Sequence, residues 1–315
     1  MLIIGAGMAG LVAANYFRKS TPLVIERQAS LPHNHRALLR FRTNAISDIT
    51  GIPFRRVFVQ KEIISEGRPA DRPTIRMGNM YGLKVTGEIR SRSVWNLTND
   101  YRYIAPTDFI PLLASGVRCS YGTEFTLKDV RENPGPIIST IPMPALMRIV
   151  GWKDIPEFSY RPIWAVNVKI VKPPADVFQT LYYPDLNIPI YRASIIGSEL
   201  IIEFAEEPAD VQNWAREVSV NFGLPAESLE FSEDPVCIRQ EYGKIVPIEE
   251  GLRQEFIYSM TRNFGIYSLG RYATWRQILL DDLQKDLKTI ETLIGAESKR
   301  KLYMGSLQSI RSETP

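Results

Sequence analysis

The apolar positions of this chain change period along its length, and each change predicts an element. Leu2, Ile3 and Ile4 form a short unbroken apolar run, the signature of a buried strand. The run stops at Gly5, and small and apolar residues from Met8 to Ala14 then predict a helix. Pro22-Leu23-Val24-Ile25-Glu26 reads as a second apolar strand closed by an acid, so residues 1–27 are strand, helix, strand. Residues 81–89 and 93–97 predict short strands broken by Gly and Pro. Residues 116–123 predict a strand and turn. Residues 136–142 predict a buried strand, followed over 144–150 by a helix with proline in its first turn. Three further strands are expected over 163–171, 188–196 and 199–204, the first alternating apolar and polar positions like a half-covered antiparallel sheet. Val211, Trp214, Ala215 and Val218 share one face of a helix expected over 207–222. Residues 265–271 predict a strand entering a glycine turn. A helix over about 275–294 follows, with Ile278, Leu279, Leu283, Leu287 and Ile290 three or four apart, and the polar, basic tail from Ser298 is expected to fray.

Composition narrows the class. At 315 residues, 44% hydrophobic and 23% charged, the chain has the make-up of a globular protein with enough length for two lobes. A scattered net charge of +3 gives no reason to expect nucleic acid as a partner. No apolar run reaches the length of a membrane span, and the opening apolar stretch lacks the basic start of a secretory leader. A cytoplasmic enzyme with a small-molecule substrate is the expectation, and the oligomeric state is left open. Cys119 and Cys237 are too few and too distant for a disulfide framework or a metal cluster. His33 and His35 are the only histidines, so neither a metal site nor a Ser-His-Asp hydrolase is expected. With so little acid–base machinery, the hard chemistry is expected to belong to a cofactor.

The opening residues say which kind. Gly5-Ala6-Gly7-Met8-Ala9-Gly10 is a Gly-x-Gly-x-x-Gly turn between a strand and a helix, the arrangement that holds an ADP moiety. The first glycine permits the tight turn, the second leaves no side chain between backbone and pyrophosphate, and the third lets helix and strand approach. The helix N-terminus offers unpaired N–H groups to the phosphates. Glu26 follows Gly5 by 21 residues, the place for a carboxylate on ribose hydroxyls, which disfavours NADP beside FAD or NAD. Arg36, Arg40, Arg42, Arg55 and Arg56 fall in the next polar stretch, as partners for bound phosphates or as a solvated face.

A second constellation, Gly270-Arg271-Tyr272-Ala273-Thr274-Trp275-Arg276 followed by Asp281, reads as another glycine turn into another helix. A cofactor as long as FAD uses such a second anchor, with Arg271 on pyrophosphate or ribityl groups. A surface helix with solvated arginines is the other reading.

On these residues the chain resembles the flavoprotein group that contains UDP-galactopyranose mutase and the flavin amine oxidases. Ile3-Ile4-Gly5-Ala6-Gly7-Met8-Ala9-Gly10-Leu11 is similar to that group's FAD-binding start, and Ile138-Ser139-Thr140-Ile141-Pro142 to its returning strand. Gly270–Arg276 resembles the mutases' C-terminal flavin segment, and Pro189-Ile190-Tyr191-Arg192 a stretch whose arginine faces the sugar-nucleotide diphosphate. The resemblance implies an α/β fold: a Rossmann-like FAD-binding domain from residues 1–60, 105–150 and 251–297, and an inserted mixed or antiparallel-sheet substrate domain from 61–104 and 151–250, with 298–315 a tail. It implies FAD held by Gly5, Ala6, Gly7, Met8, Ala9, Gly10, Glu26, Arg27, Thr140, Gly270, Arg271 and Arg276. Arg192 and Arg276 would face a substrate diphosphate, with Tyr182, Tyr183 or Trp164 near uracil or sugar. The implied activity is that of a mutase acting on a nucleotide-sugar through reduced flavin. An oxidase or dehydrogenase of the amine oxidase type, and an FAD-binding protein without catalysis, are the alternatives. Two departures stand out. Leu31-Pro32-His33-Asn34-His35-Arg36 replaces the family's Gly-Gly doublet, and the chain is shorter than typical mutases.

Overall fold

The computed structural model describes residues 1–31, 40–89, 94, 97–133, 135–172, 174–231 and 237–312, with the side chains of 226 and 300–312 excepted. Two sheets divide it. The strands of the first are β1 (Leu2–Ile4), β2 (Leu23–Glu26), β7 (Arg118–Tyr121), β8 (Ile137–Ser139) and β15 (Ile266–Ser268). This sheet is parallel throughout and runs in the order β15-β8-β1-β2-β7. The chain leaves β1 for β2 on one side and returns as β8 on the other, so a topological switch point lies at the end of β1, where open α/β sheets bind ligands.

Helices cover both faces of this sheet, which explains its apolar strands. Helix α1 (Met8–Tyr16), α2 (Ala45–Thr50), α4 (Phe109–Ala114) and α9 (Leu283–Ser312) share one core, through Leu11, Ile46, Phe109 and Leu287. Helices α6 (Met143–Val150) and α8 (Glu250–Phe264) share the other, through Met147, Phe256 and the fully buried Trp275. Helix α5 (Leu127–Glu132) is a short surface turn closed by a Thr126–Asp129 capping box.

Among the described residues the second sheet has ten strands. They are β3 (Arg40–Phe41), β4 (Arg55–Ser65), β5 (Arg68–Pro69), β6 (Asp100–Ile104), β9 (Tyr160–Ile170), β10 (Val177–Tyr182), β11 (Ile190–Gly197), β12 (Glu199–Phe204), β13 (Leu229–Glu230) and β14 (Cys237–Ile245). Their order is β13-β9-β12-β11-β10-β4-β6-β3, with β14 also on β9 and β5 on β4. Only the β10–β4 pairing on the main path is parallel, so the sheet is mixed, as the resemblance implied. Leu181, Ala193, Ile195, Leu200 and Ile202 turn one face toward α7 (Val211–Asn221), where Ala215 and Val218 complete a core. Strand β4 crosses residue 60, where the first domain segment was expected to end.

Three expectations are corrected. Residues 81–89 are not a strand: α3 spans Ile75–Thr86, with the Thr74 hydroxyl accepting from Met77 N–H at 3.2 Å and Gly87 in the left-handed region after its end. Gly78 and Gly82 interrupt the apolar pattern, yet Tyr81 and Val85 are buried one turn apart on its inner face. The last helix begins at Leu283, not near 275, because Trp275 has φ 47 and the Leu279 N–H bonds Asp282 Oδ2 at 2.8 Å. Ile278 and Leu279 therefore match the helical period without belonging to the helix. At its other end α9 continues to Ser312, so the expected frayed tail is helix, as good helix formers such as Lys299, Leu302 and Met304 allow. Of 93–97, only residues 94 and 97 are described. No helix of the described residues is long and apolar enough to cross a membrane.

Lys84 on α3 is buried and donates to the carbonyls of Tyr183 at 2.8 Å and Ile190 at 2.9 Å. Burial lowers its pKa to about 7, against the opposing pull of Asp185 and Glu206. Because the folded value lies below the unfolded one, the unfolded chain binds the extra proton from about pH 7 upward. Stability is therefore expected to rise by about 2 kcal/mol between about pH 7 and 9 from this group. Urea unfolding across that range should show the rise in the parent and not in Lys84→Met.

Candidate functional site

At the end of β1 the chain turns through Gly5, whose φ of +96 places it in the region that glycine tolerates. A Cβ on Gly5 would approach Thr140 Oγ1 to 2.6 Å. Thr140 follows β8 and donates its hydroxyl to the Ile4 carbonyl at 2.7 Å, so the returning strand clamps the turn from behind. Gly10 packs so tightly that a Cβ there would collide with the Gly5 carbonyl oxygen. Gly7 is the opposite case. It caps α1 with no side-chain hydrogen bond, and a Cβ on it would meet no described residue within 4 Å. The turn is thus rigid behind and open in front, with the first N–H groups of α1 left for a ligand. Glu26, at the end of β2, accepts from Ala6 N–H at 2.8 Å and from Gln28 N–H at 2.9 Å, which holds its carboxylate beside the turn. Arg27 is exposed.

Gly270 closes onto the same place. Its φ is +90, and a Cβ there would lie 2.9 Å from the Ala9 Cβ, so the second glycine turn rests on the first turn of α1. Residues 271–275 are not the helix N-terminus expected from sequence. They form a hydrogen-bonded turn, with Thr274 N–H on the Gly270 carbonyl at 3.0 Å and Arg276 N–H on the Arg271 carbonyl at 3.1 Å. Arg271 is half-buried, and its Nε is enclosed with no hydrogen-bond partner among the described residues. Arg276 donates to Thr274 Oγ1 at 3.2 Å and forms an ion pair with Asp286 of α9, at the wall of a cavity of about 430 Å³ between α8 and α9. Burial raises the pKa of Asp286 against the pull of Arg276.

Arg192 lies on the second sheet. Register places Lys61, Thr180 and Ser194 in line across β4, β10 and β11, and Tyr182, Arg192 and Glu203 in line across β10, β11 and β12. These side chains share the face opposite α7. Arg192 forms a bidentate pair with Glu203, which also accepts from the Tyr191 hydroxyl at 2.7 Å. Burial opposes the charge on Arg192, but Glu203 outweighs it and holds the guanidinium well above its ordinary pKa. Arg40 of β3 reaches the same face. It donates to Thr180 Oγ1 and, at 3.2 Å, to Ser194 Oγ, although β6 and β4 separate β3 from β10 in the sheet order. The sheet must curl to bring them together. The next residue, Phe41, points the other way into the core around α1. Asp281 fastens this junction, accepting from Arg42 N–H at 3.1 Å and from Thr43 N–H at 3.0 Å.

The whole arrangement has counterparts among solved structures. Reduced UDP-galactopyranose mutase superposes with a TM-score of 0.65 at 15% identity, over 94% of this chain and 93% of that one. The chain shares the fold of that structure. A flavoprotein/dehydrogenase from Cytophaga hutchinsonii matches at TM-score 0.53 and 17% identity, over 93% and 77% of the two chains. Aklavinone-11 hydroxylase, solved with FAD and aklavinone, matches at 0.50 and 11%, over 93% and 61%. No family model and no curated protein matches the sequence.

Within this fold, Gly5, Ala6, Gly7, Met8, Ala9, Gly10, Glu26, Thr140 and Gly270 come together around the end of β1, with Arg271 adjoining. Arg192 and Arg276 do not share a site: one lies on the mixed sheet with Glu203, the other beside Asp286 on α9. Tyr182 borders the Arg192 face, whereas Tyr183 is packed into the core beneath α7 and Trp164 lies under Arg239. Residues 32–36, where the doublet would fall, lie outside the described residues, as do His33 and His35. The sequence singles out Arg40 only as one of five arginines, and it does not point to Lys61, Thr180, Ser194 or Glu203. For Thr180 and Ser194 the signal is present as polar residues alternating with apolar ones, as in Thr180-Leu181-Tyr182 and Ala193-Ser194-Ile195.

Proposed function

We propose that the protein is an FAD-dependent enzyme that acts on a nucleotide-sugar in the manner of a mutase. The residues around β1 suit FAD: an open glycine turn, a helix N-terminus without a side-chain cap, a carboxylate for ribose hydroxyls, and an enclosed Arg271 Nε in want of an acceptor. When bound in reduced form, FAD supplies a nucleophilic nitrogen at the anomeric carbon of a sugar. The chain's own part is binding and charge. The α1 N–H groups and Arg271 neutralise the cofactor's pyrophosphate. Arg192, oriented by Glu203, binds the substrate's diphosphate and stabilises it as it separates from the sugar.

One observation carries the reading. β3 sends Phe41 into the core of the glycine-turn lobe and Arg40 onto the cationic face, so this strand bridges the two anion-suited regions. Purified protein loaded with FAD should interconvert the pyranose and furanose forms of UDP-galactose when dithionite is present and not in its absence. Turnover without reductant and coupled to oxygen uptake would favour the oxidase alternative, and FAD binding without either reaction the non-catalytic one.

A further inference from the structure

Of the two arginines in the second glycine constellation, Arg271 suits the cofactor and Arg276 is left without a task. Arg276 lines the cavity of about 430 Å³ between α8 and α9. β15 lies at the end of its sheet order, with no further strand beside it among the described residues, and it contributes Tyr267 and Ser268 to this cavity. Its one partner, β8, takes the peptide groups of alternate residues: Gly265 C=O accepts from Ile137 N–H, and Leu269 N–H donates to Ser139 C=O. The peptide groups of Ser268 therefore face the unpaired edge. Ile257, Tyr258, Tyr267, Ile290 and Leu293 supply apolar and aromatic walls.

Three polar atoms of the lining are unfilled. The ion pair joins Arg276 Nη2 to Asp286 Oδ2, and Arg276 Nε is engaged by Thr274 Oγ1, but Nη1 and Oδ1 meet no partner among the described residues. Ser268 is 9% exposed, and its Oγ is enclosed, again without a partner among the described residues. Arg253, also in the lining, offers nothing further, because its nitrogens are engaged by the Glu250 carboxylate and the Thr274 carbonyl. Burial holds the Asp286 carboxyl above its ordinary pKa even with Arg276 beside it, which marks a carboxylate short of donors. Unfilled polar groups of both signs on a mainly apolar cavity are the features of a small-molecule site.

We propose that this cavity binds a zwitterionic α-amino acid with an apolar side chain, its carboxylate on Arg276, its ammonium on Asp286 and its side chain against the tyrosines and Ile290. The ion pair selects against simpler ligands. Asp286 repels a plain carboxylic acid and Arg276 repels a plain amine, whereas a zwitterion completes both free arms at once. Ser268 Oγ, both donor and acceptor, can serve either end. The site uses no residue of the proposed FAD and nucleotide-sugar chemistry, so the two readings stand or fall separately.

The test is calorimetric titration of the full chain with L-phenylalanine, hydrocinnamate and phenethylamine, the last two lacking the ammonium and the carboxylate in turn. The parent is expected to bind L-phenylalanine, and each single-charge analogue at least about tenfold more weakly. Asp286→Asn should weaken L-phenylalanine by about tenfold or more and strengthen hydrocinnamate, a reversal that loss of structure does not produce. Ser268→Ala should weaken L-phenylalanine about threefold or more while melting at or above the parent temperature, because it removes an unpartnered buried hydroxyl. No binding by the parent, or either analogue binding as tightly as L-phenylalanine, overturns the proposal. L-Phenylalanine affinity unchanged in Asp286→Asn also overturns it, because the amino acid then sits elsewhere, as in the flavin lobe. If Asp286→Asn does not fold, Ser268→Ala decides: unchanged affinity overturns the proposal, and a loss supports it.

Discussion

Gly10→Val is expected to abolish FAD binding and to cost about 3 kcal/mol or more of stability, at or beyond the upper end for overpacking. Any Cβ at this position collides with the Gly5 carbonyl oxygen, which is backbone and cannot swing aside as a side chain would. Thr140 Oγ1 would also lie 3.3 Å from that Cβ, and its hydrogen bond to the Ile4 carbonyl holds the turn in place. Gly7→Ala supplies the contrast. Its φ of −70 suits alanine and its Cβ meets no described residue within 4 Å, so the fold should melt close to the parent temperature. The same methyl group would project from the cap of α1 toward the space for the pyrophosphate, and FAD affinity should fall. Thermal unfolding and visible flavin absorbance, measured on both variants, separate the two effects. A Gly7→Ala protein that keeps full FAD affinity would move the cofactor away from this turn.

Glu203→Gln carries the second large expected effect, a loss of about 3–5 kcal/mol, the range for breaking a buried ion pair by removing one partner. Glu203 is 1% exposed and accepts from both arms of Arg192 and from the Tyr191 hydroxyl. Without its charge, the carboxylate that offsets the burial of Arg192 is lost, while Arg192 and Arg40 still repel each other. Replacing both partners, as in Arg192→Met with Glu203→Leu, should recover most of the stability, because no buried charge is stranded. That double variant should fold and yet fail to bind UDP. Denaturant unfolding of the two proteins checks the first statement and UDP titration the second. A Glu203→Gln protein as stable as the parent would show that the Arg192 charge is solvated after all.

The range of the forces involved decides how much of the fold and the site is legible in the sequence. The glycine turn is readable because its constraints are local: Gly5, Gly7, Gly10 and Glu26 act within one strand–helix–strand unit, and the residues permitted there are few. The meeting of Gly270 with Ala9 is spelled out by neither segment, since the contact spans most of the chain. Its motif gives the partner and not the shape, so the turn over 271–275 reads as a helix start. The cationic face is least legible. Thr180, Ser194 and Glu203 acquire meaning only when strand register aligns them, and Arg40 joins them only because the sheet curls. Arg276 shows the same limit: the sequence sets it next to a cofactor motif, and only the fold puts Asp286 of α9 beside it.

Titration of the purified chain with FAD, followed by flavin absorbance and melting temperature, bears most directly on the flavoprotein reading. One FAD per chain is expected, retained through gel filtration and raising stability by about 2.7 kcal/mol at a hundredfold excess over its dissociation constant, with NAD and NADP giving no comparable shift. A colourless protein whose melting FAD leaves unmoved would contradict it.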